Sequence, residues 1–379
     1  MAGSTRQGLR IILLLIFLVL SFPYAAAPIY TILPAEHFHG NEWFNPYHDV
    51  DLNTPWKKVN THLHSRVWWG TTDGHKNTLH EIAAVYRQLG YAAIALSNYQ
   101  RIDSIGYGWT HLPCYEHGYN IQKTHQIVLG AQSVIWLDCI LPQTLFIKQW
   151  ILDILRPTAE ITILAHPAFG RPSYYERDMN FLGNYDGIEV FNHYRTSWAH
   201  WDSALSNGII VWAVGNDDCH DVQSNKETGV CLTLAPLPVQ WKPSDLYHAF
   251  HSGKTIAVRT YQASLPITGI IQRIQKDSLV VVLTSTADSV RFVSDGGKIA
   301  FVASNTARAA MPLLTSASYI RVEVYCGNTT YALNPVVRTS SASIPTQSRR
   351  LREDVPLTLL YRLVWMLIYV NIGLLLIRR

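Results

Sequence analysis

Charged side chains are scarce in this sequence of 379 residues, since Asp, Glu, Lys and Arg make up 15% and apolar residues 48%. A chain this apolar can bury a core, which excludes a disordered protein. The formal net charge is only +4, and Lys and Arg form no long run except near the C-terminus. The sequence therefore lacks the basic surface of a nucleic-acid-binding protein, and we expect no nucleic-acid partner.

Cysteines are also few, and they are scattered. None of them forms a CxxC pair, and we find no internal repeat in the sequence. This spacing is typical of neither a disulfide framework nor a zinc ribbon. The five cysteines are Cys114, Cys139, Cys219, Cys231 and Cys326.

The first 27 residues combine a basic start with an apolar run. Arg6 and Arg10 precede apolar residues 11–22, and Pro23 and three alanines follow. This order is typical of a secretory signal peptide. An uncleaved anchor helix is the alternative, although the run is short for a membrane span. We therefore predict that residues 1–27 are a signal peptide or an N-terminal anchor.

A second apolar run covers residues 355–377 and is long enough to cross a bilayer. Arg362 interrupts it near one end, where a long side chain can reach the membrane interface. A buried C-terminal helix is the alternative. Because the start of the chain signals export, we expect a cell-membrane protein. Its body would lie on the extracytoplasmic side, with the C-terminal helix as the contact with the membrane.

Between these ends, apolar segments alternate with helical patterns. The clearest helix covers residues 78–89, with a capping box at Thr78 and Glu81 and a stop at Gly90. Strands alternating with helices predict a parallel sheet or barrel over residues 28–254. The seven strand-like segments are KKVNTHLH, AAIALS, QIVLGAQSVIW, ITILAH, GIEVF, IIVWAVG and GVCLTL.

The pattern changes near residue 255. Short strand-like segments with Gly, Asp and Asn turns follow one another without helices. This pattern predicts a small antiparallel β-sandwich domain over residues 255–338. Residues 339–354 are rich in Ser and Arg and are predicted to be a linker.

Polar residues collect where the predicted strands end, which is where α/β barrels carry their active residues. His62 and His64 would also share one face of a strand, because side chains at i and i+2 point the same way. Each residue alone can be an ordinary polar or capping group, but their shared placement predicts a metal site. The residues are His62, His64, His166, Glu189, Asp218 and His220.

The ordered motifs THLHS…TDG, IALSNY, LGAQS, ILAHP, GIEVFN and GNDDCH resemble those of the PHP (polymerase and histidinol phosphatase) superfamily of phosphoesterases, over residues 57–255. The resemblance implies a distorted (β/α)7 barrel with up to three divalent metals at its mouth. It also implies hydrolysis of phosphate esters by metal-activated water. The segment that ends in YIRVEVYCGNTTYALNPVV is similar to the β-domain that follows this barrel in some bacterial members.

The family's functional residues match this chain in part. Asp73 matches the acidic residue of the family's SDG motif and would take a catalytic role. The family's TDH motif reads Ser97-Asn98-Tyr99, and its PGxE glutamate falls at Gln132. An amide carries no charge and cannot bridge two metals as a carboxylate does. The residues that the resemblance implies as metal ligands are His62, His64, His166, Asp218 and His220, with Gln132 as a weak further ligand.

Several further residues are candidates for the site. Arg171 and Arg195 can hold a substrate phosphate or form surface ion pairs, and Glu189 can orient a ligand or a water. Trp68 and Trp69 can form an aromatic wall or can pack in the core. The polar loop over residues 100–126 either supplies substitute ligands or carries ordinary loop residues. Its candidates are His111, Cys114, His117 and His125.

These observations predict an exported, membrane-tethered hydrolase of phosphate mono- or diesters that acts on a small phosphorylated substrate. One divalent ion, Zn, Mn or Fe, would be held by His62, His64 and Asp218, with more ions only if substitute ligands exist. The alternative is a catalytically impaired protein that serves as a binding or scaffolding module in the cell envelope. Gln132 and Tyr99 motivate that alternative.

Overall fold

The computed structural model describes residues 2–71, 74, 76–170, 173–262, 264–341, 343–347 and 349–377. The described α-helices are α1 (Ala2–Ala26), α2 (Leu79–Gln88), α3 (Leu145–Leu155), α4 (Trp198–Ser206), α5 (Pro243–His251) and α6 (Val355–Ile377). The first nine described strands are β1 (Tyr30–Ile32), β2 (Glu42–Phe44), β3 (Trp56–Asn60), β4 (Tyr91–Ile94), β5 (Cys114–His117), β6 (Gln126–Leu129), β7 (Ile161–Leu164), β8 (Gly187–Asn192) and β9 (Trp212–Asn216). The others are β10 (Cys231–Pro236), β11 (Ile256–Thr260), β12 (Ile270–Gln275), β13 (Ser278–Ser294), β14 (Lys298–Pro312), β15 (Tyr319–Cys326), β16 (Thr329–Thr339) and β17 (Leu351–Glu353).

The strands form two large sheets and one separate pair. A ten-stranded sheet has the order β12-β13-β15-β16-β11-β10-β3-β4, with β14 paired to β13 and β2 paired to β16. A five-stranded sheet has the order β5-β6-β7-β8-β9, and β1 pairs with β17. The pairs β3–β4, β7–β8 and β8–β9 are parallel, and the other pairs between described strands are antiparallel.

The predicted distorted (β/α)7 barrel followed by a β-sandwich is wrong. Only four of the described α-helices lie between the two terminal ones, and β5, β6 and β7 pair antiparallel. Strands before and after the domain boundary predicted at residue 254 belong to one continuous sheet, because β10 pairs with β11. A buried strand is apolar whether its neighbours run parallel or antiparallel to it. The apolar segments therefore predicted strands but not their directions.

The helix predicted over residues 78–89 is confirmed as α2. Thr78 accepts a hydrogen bond from the Glu81 backbone, and the Glu81 side chain bonds the Thr78 backbone in return. The apolar side of α2 packs in the core through the buried side chains of Ile82, Ala83 and Tyr86. Between β7 and β8, a short 3₁₀ turn covers Glu176–Asn180.

The two large sheets approach closely where β9 packs against β10. A Cβ atom placed on Gly215, in β9, would lie 2.4 Å from the Leu232 carbonyl oxygen, so only glycine fits. Isolated parallel bridges also join Leu63 to Cys219 and Tyr99 to Glu116. These links bring the C-terminal ends of β3, β4 and β9 to one place, together with β5.

A buried arginine ties the C-terminal strands to α4. The Arg321 guanidinium, in β15, donates to both carboxylate oxygens of Asp202, in α4, each at 2.7 Å. Arg321 also donates to Glu323 at 2.6 Å and lies over the ring of Trp201. Because this charge is paired and hydrogen-bonded, it can be buried, and it holds the strands after residue 255 against the rest of the molecule.

The terminal helices α1 and α6 lie side by side. Their segments Gln7–Ala26 and Val355–Leu375 are long and apolar enough to cross a membrane, and the first can also be a signal sequence. Arg362 donates to the Ala26 carbonyl at 2.7 Å, and the Tyr361 hydroxyl donates to the Tyr24 carbonyl at 3.1 Å. The pairing of β1 with β17 continues this contact into the body of the protein.

Candidate metal centre

The backbone after β3 is held by its neighbours. The Thr61 amide donates to the Asn216 side chain at 2.8 Å, and the His64 amide donates to the Cys219 carbonyl at 3.1 Å. The Asn98 side chain accepts from the Ser65 amide at 2.8 Å. Asn98 belongs to the Ser97-Asn98-Tyr99 segment, which therefore holds the backbone next to His62 and His64 in place. This segment supplies no histidine, in contrast to the TDH motif that it matches.

Two histidines and two carboxylates converge at the ends of these strands. His62, His64, Glu116 and Asp218 are buried, and each offers a ligand atom within 4.8 Å of the others. Asp218 Oδ1 lies 3.1 Å from His62 Nε2 and 3.2 Å from His64 Nε2. Glu116 Oε2 lies 3.4 Å and 3.2 Å from the same two nitrogens. We name these four residues the first ligand group, and they could hold a metal ion.

Glu116 also belongs to a second ligand group, with His125 and His166. Its other oxygen, Oε1, lies 2.6 Å from His125 Nδ1 and 3.2 Å from His166 Nε2. One oxygen of Glu116 therefore faces each group. A carboxylate with one oxygen toward each of two sites is placed to bridge two cations.

Several atoms of the two groups are buried without a hydrogen bond. Within the described part of the chain, His62 Nε2, Glu116 Oε2 and Asp218 Oδ1 have no hydrogen-bond partner. Leaving such atoms unsatisfied costs about 1–3 kcal/mol each, more for charged groups. Imidazole and carboxylate donors suit zinc, manganese and iron. The residues present therefore fit a bound divalent metal.

Glu189 orients His62 from the side away from the first ligand group. Its Oε1 lies 2.8 Å from His62 Nδ1 and accepts from Asn216 at 3.0 Å. Its Oε2 accepts from the His166 amide at 2.8 Å and from Asn192 at 3.0 Å. A carboxylate only accepts, so the neutral form of His62 carries its hydrogen on Nδ1 and turns the Nε2 lone pair toward the site.

Burial and charge act in opposite directions on these groups. Burial lowers the pKa of His62, but Asp218, Glu189 and Glu116 raise that pKa well above its ordinary value. Burial raises the pKa of Glu116, yet His125 and His62 hold it well below its usual range. Burial likewise raises the pKa of Asp218, and His62 leads the contacts that hold it well below normal. Both carboxylates are thus ionised near neutral pH, which is the form that binds a cation.

The loop after β9 is fixed by Asp217. Its carboxylate accepts from the amides of Gly229, Val230 and Cys231 at 2.8–2.9 Å. Burial raises the pKa of Asp217 to about 7, although these bonds favour its ionised form. The next residue, Asp218, has a backbone φ of 50°, a conformation that L-residues adopt rarely. This anchored loop holds the Asp218 carboxylate against His62.

A cavity of about 230 Å³ opens above the two ligand groups. The His220 ring stacks on His64 with ring centres 4.2 Å apart, and His220 Nε2 lies 3.2 Å from Asp218 Oδ1. Among the described lining residues, Lys123 is the one with a fixed positive charge. The lining residues are Tyr99, Lys123, His125, His166, Phe169, Tyr194, Asp218 and His220.

The structure brings His62, His64, His166, Asp218 and His220 together at this cavity. Gln132 does not join them, because it is exposed and its amide bonds the Thr158 carbonyl before β7 begins. β6 runs antiparallel to β7, so Gln132, which comes directly after β6, lies at the end of the sheet opposite His166. The interpretation of Gln132 as a ligand that replaces a glutamate is corrected by this placement.

The predicted catalytic residues are placed as follows. Glu189 lies behind His62, as described above. Arg195 is exposed, donates to the neighbouring Tyr194 carbonyl at 2.9 Å, and is not among the cavity-lining residues. Asp73 and Arg171 lie outside the described residues.

Sequence reasoning missed Glu116 and undervalued His125. Both lie in the stretch over residues 100–126 that we predicted to be a polar loop, whereas Cys114–His117 forms β5. A strand of four residues is too short to show a clear alternation. The signal that could have found them is CYEH, a lone carboxylate in an otherwise apolar and aromatic segment, followed closely by QIVL.

No family model, curated protein or solved structure matches this chain. The resemblance to the PHP superfamily therefore stays a prediction. Function has to be argued from the two ligand groups, the cavity above them and the helices at the ends of the chain.

Proposed function

We propose that this protein is a metal-dependent phosphoesterase with two divalent ions that share Glu116. One observation carries the proposal: two buried ligand groups, each able to hold an ion, are joined by a single carboxylate. The motifs that resemble the PHP superfamily supply His62, His64, His166 and Asp218 to the same groups, and that resemblance implies the same reaction. The proposal rests on this ligand set and does not require a barrel.

The chemistry follows from the ligand set. Paired divalent ions held by the two ligand groups would lower the pKa of water and neutralise charge on a phosphoryl oxygen. The water oxygen forms a bond to phosphorus, the ester P–O bond breaks, and the leaving alcohol takes a proton. Glu189 keeps the proton of neutral His62 on Nδ1, which leaves the lone pair of Nε2 available to bind a metal ion. Lys123 and His220 line the cavity where a phosphate would lie, and Lys123 supplies positive charge there.

We place the body of the protein on the extracytoplasmic side of the cell membrane. Arg6 and Arg10 lie near the start of α1, and Arg378 and Arg379 follow α6. Because α1 and α6 lie antiparallel, the start of α1 and the end of α6 share one side, and the positive-inside rule assigns the side with basic flanking sequence to the cytoplasm. The arginines that precede α6 contribute less to this assignment of orientation, because their charge can be neutralised within the protein. Arg349, for example, pairs with Asp153 at 2.7 Å.

A non-catalytic binding module is the weaker alternative. It was motivated by Gln132, and Glu116 now supplies the carboxylate that Gln132 cannot. The aromatic ring of Tyr99 still lies 5.0 Å from the His64 ring, where the family motif has a histidine. That single departure leaves both ligand groups intact, so we favour the hydrolase.

The test of this proposal is a substitution that removes the negative charge of Glu116 and changes the shape of the side chain as little as possible. Glu116→Gln should hold fewer metal ions, and its hydrolysis of p-nitrophenyl phosphate should fall by more than about 100-fold, since even outer partners of ligands are worth about 10–100-fold. Glu323→Gln is the matched control, because Glu323 is also buried but bonds Arg321 away from the site. Equal activity of the two variants, or a metal-loaded wild type without activity, would contradict the proposal.

A further inference from the structure

The loop over residues 134–142 touches the base of the N-terminal apolar helix. The Tyr24 hydroxyl, in the last turn of α1, donates to the Pro142 carbonyl at 3.0 Å. Large apolar side chains of this loop face solvent, with Trp136 58%, Ile140 39% and Leu141 41% exposed. If α1 crosses a bilayer, this loop lies at the bilayer surface, where tryptophan and aliphatic side chains are favourable.

The same loop is joined to the rim of the cavity. The Trp136 ring lies 6.2 Å from the Trp68 ring, edge to face. The Trp68 indole donates to the Tyr99 carbonyl at 2.8 Å, and Tyr99 lines the cavity. Next to Trp68, Trp69 is 90% exposed. A series of contacts, Tyr24 to Pro142, Trp136 to Trp68 and Trp68 to Tyr99, therefore leads from the base of α1 to the mouth of the cavity.

A second connection leads from the loop to Lys123. Asp138 accepts from the Tyr119 amide at 2.7 Å and from the Asn120 side chain at 3.2 Å. The Asn120 carbonyl then accepts from the Lys123 amide at 3.1 Å. The positive charge in the cavity is thus positioned by the loop that contacts α1.

The direction of α3 agrees with this placement. The Lys148 ammonium, near the start of α3, lies over the ring of Tyr174, which bonds the Gln126 side chain, and Gln126 pairs with Leu164 at the end of β7. The start of α3 therefore lies at the C-terminal end of β7, where His166 stands. Residues 134–142 precede α3 directly, so the base of α1 and the two ligand groups share one end of the molecule.

We propose that the cavity opens onto the bilayer surface and that its substrate is the phosphate ester of a membrane lipid, an inference that rests on the proposed phosphoesterase function. A cavity of about 230 Å³ is smaller than the pockets of about 300–1,000 Å³ that enclose drug-sized ligands. It has room for a phosphate and the first atoms of the alcohol, while the acyl chains stay in the bilayer. The rings of Tyr99, Phe169 and Tyr194 line the passage, and Lys123 offers charge to the phosphate.

For a lipid phosphate monoester the reaction is balanced as follows. The oxygen of one water molecule bonds to phosphorus, and the bond between phosphorus and the glycerol oxygen breaks. One proton of the water moves to the glycerol oxygen, and the other stays with the phosphate. The products are inorganic phosphate in solution and a neutral diacylglycerol in the membrane.

The experiment uses the full chain reconstituted in phosphatidylcholine vesicles that contain phosphatidic acid as a minor component. Phosphate release from the lipid is compared with hydrolysis of p-nitrophenyl phosphate by the same vesicles. Ile140→Asp puts a charge on the surface that faces the bilayer. Val239→Asp is the matched control, because Val239 is 88% exposed and follows β10, whose end pairs with the start of β3, opposite the cavity.

We expect Ile140→Asp to lower turnover of phosphatidic acid at least tenfold and to leave turnover of p-nitrophenyl phosphate within twofold of the wild type. Val239→Asp should change neither rate. If the soluble ester is hydrolysed and phosphatidic acid is not, or if both Asp variants behave alike, the lipid inference is overturned while the phosphoesterase function stands. If the metal-loaded protein hydrolyses neither ester, the proposed function itself fails and the lipid inference with it.

Discussion

Glu116 lies between two sets of histidines, with one carboxylate oxygen toward each set. His62, His64 and Asp218 could be predicted from sequence, because short motifs place them directly after apolar strands. Glu116 could not, because β5 has four residues and its neighbours in sequence had been assigned to a loop. The ligand that joins the two groups therefore comes from the element that periodicity predicts least well.

At this scale, Glu189 makes the sharpest prediction. Glu189→Gln keeps the shape but replaces one acceptor oxygen with an NH2 group, which disturbs either the bond to His62 Nδ1 or the bond to the His166 amide. We expect affinity for the metal to fall about 10–100-fold. Competition of the purified protein against a chelator measures this affinity.

The same titration on Glu323→Gln, a buried glutamate that bonds Arg321, controls for loss of a charge elsewhere. An unchanged affinity in Glu189→Gln would show that Glu189 does not orient the ligand.

At the scale of elements, the sequence predicted which segments form strands and helices better than how they pair. Each of the seven apolar segments coincides with most of one strand, namely β3, β4, β6, β7, β8, β9 or β10, and α2 begins at its predicted cap. The direction of a strand is set by pairing with distant segments, which local composition does not encode. For the same reason the linker predicted over residues 339–354 contains β17, whose partner β1 lies more than 300 residues earlier.

The contacts between α1 and α6 predict that the N-terminal helix is retained. Tyr24 and Ala26 offer carbonyls to Tyr361 and Arg362, and Phe17 packs on Tyr369 with ring centres 6.2 Å apart. We expect the mature protein to keep residues 1–27, because cleavage there would leave Tyr361, Arg362 and Tyr369 without their partners in α1. Intact-mass measurement of the protein extracted from membranes checks this expectation.

A mature chain that lacks about the first 27 residues would show that α1 is a cleaved signal peptide. The contact between Tyr24 and Pro142 would then be absent from the mature protein, and the proposed orientation toward the bilayer would lose its main support.

For the whole molecule, one sheet unites segments that sequence patterns had divided. β3, β4 and β10 share a sheet with β11 to β16, and Arg321 holds β15 to α4 through Asp202. After residue 255 the described residues form no further α-helix before α6, yet the hydrogen-bonded sheet continues through this change of pattern. The site, by contrast, is built from separate strand ends that only the complete fold brings together, so its ligands are distributed from residue 62 to residue 218.

The number of divalent ions bound per chain tests the central claim most directly. Elemental analysis of the purified full chain should find two ions in the wild type. The double variant His125→Ala with His166→Ala should keep one, because the first ligand group stays complete. A wild type that binds no ion or a single ion, or a double variant that still holds two, would contradict a centre in which Glu116 bridges two metals.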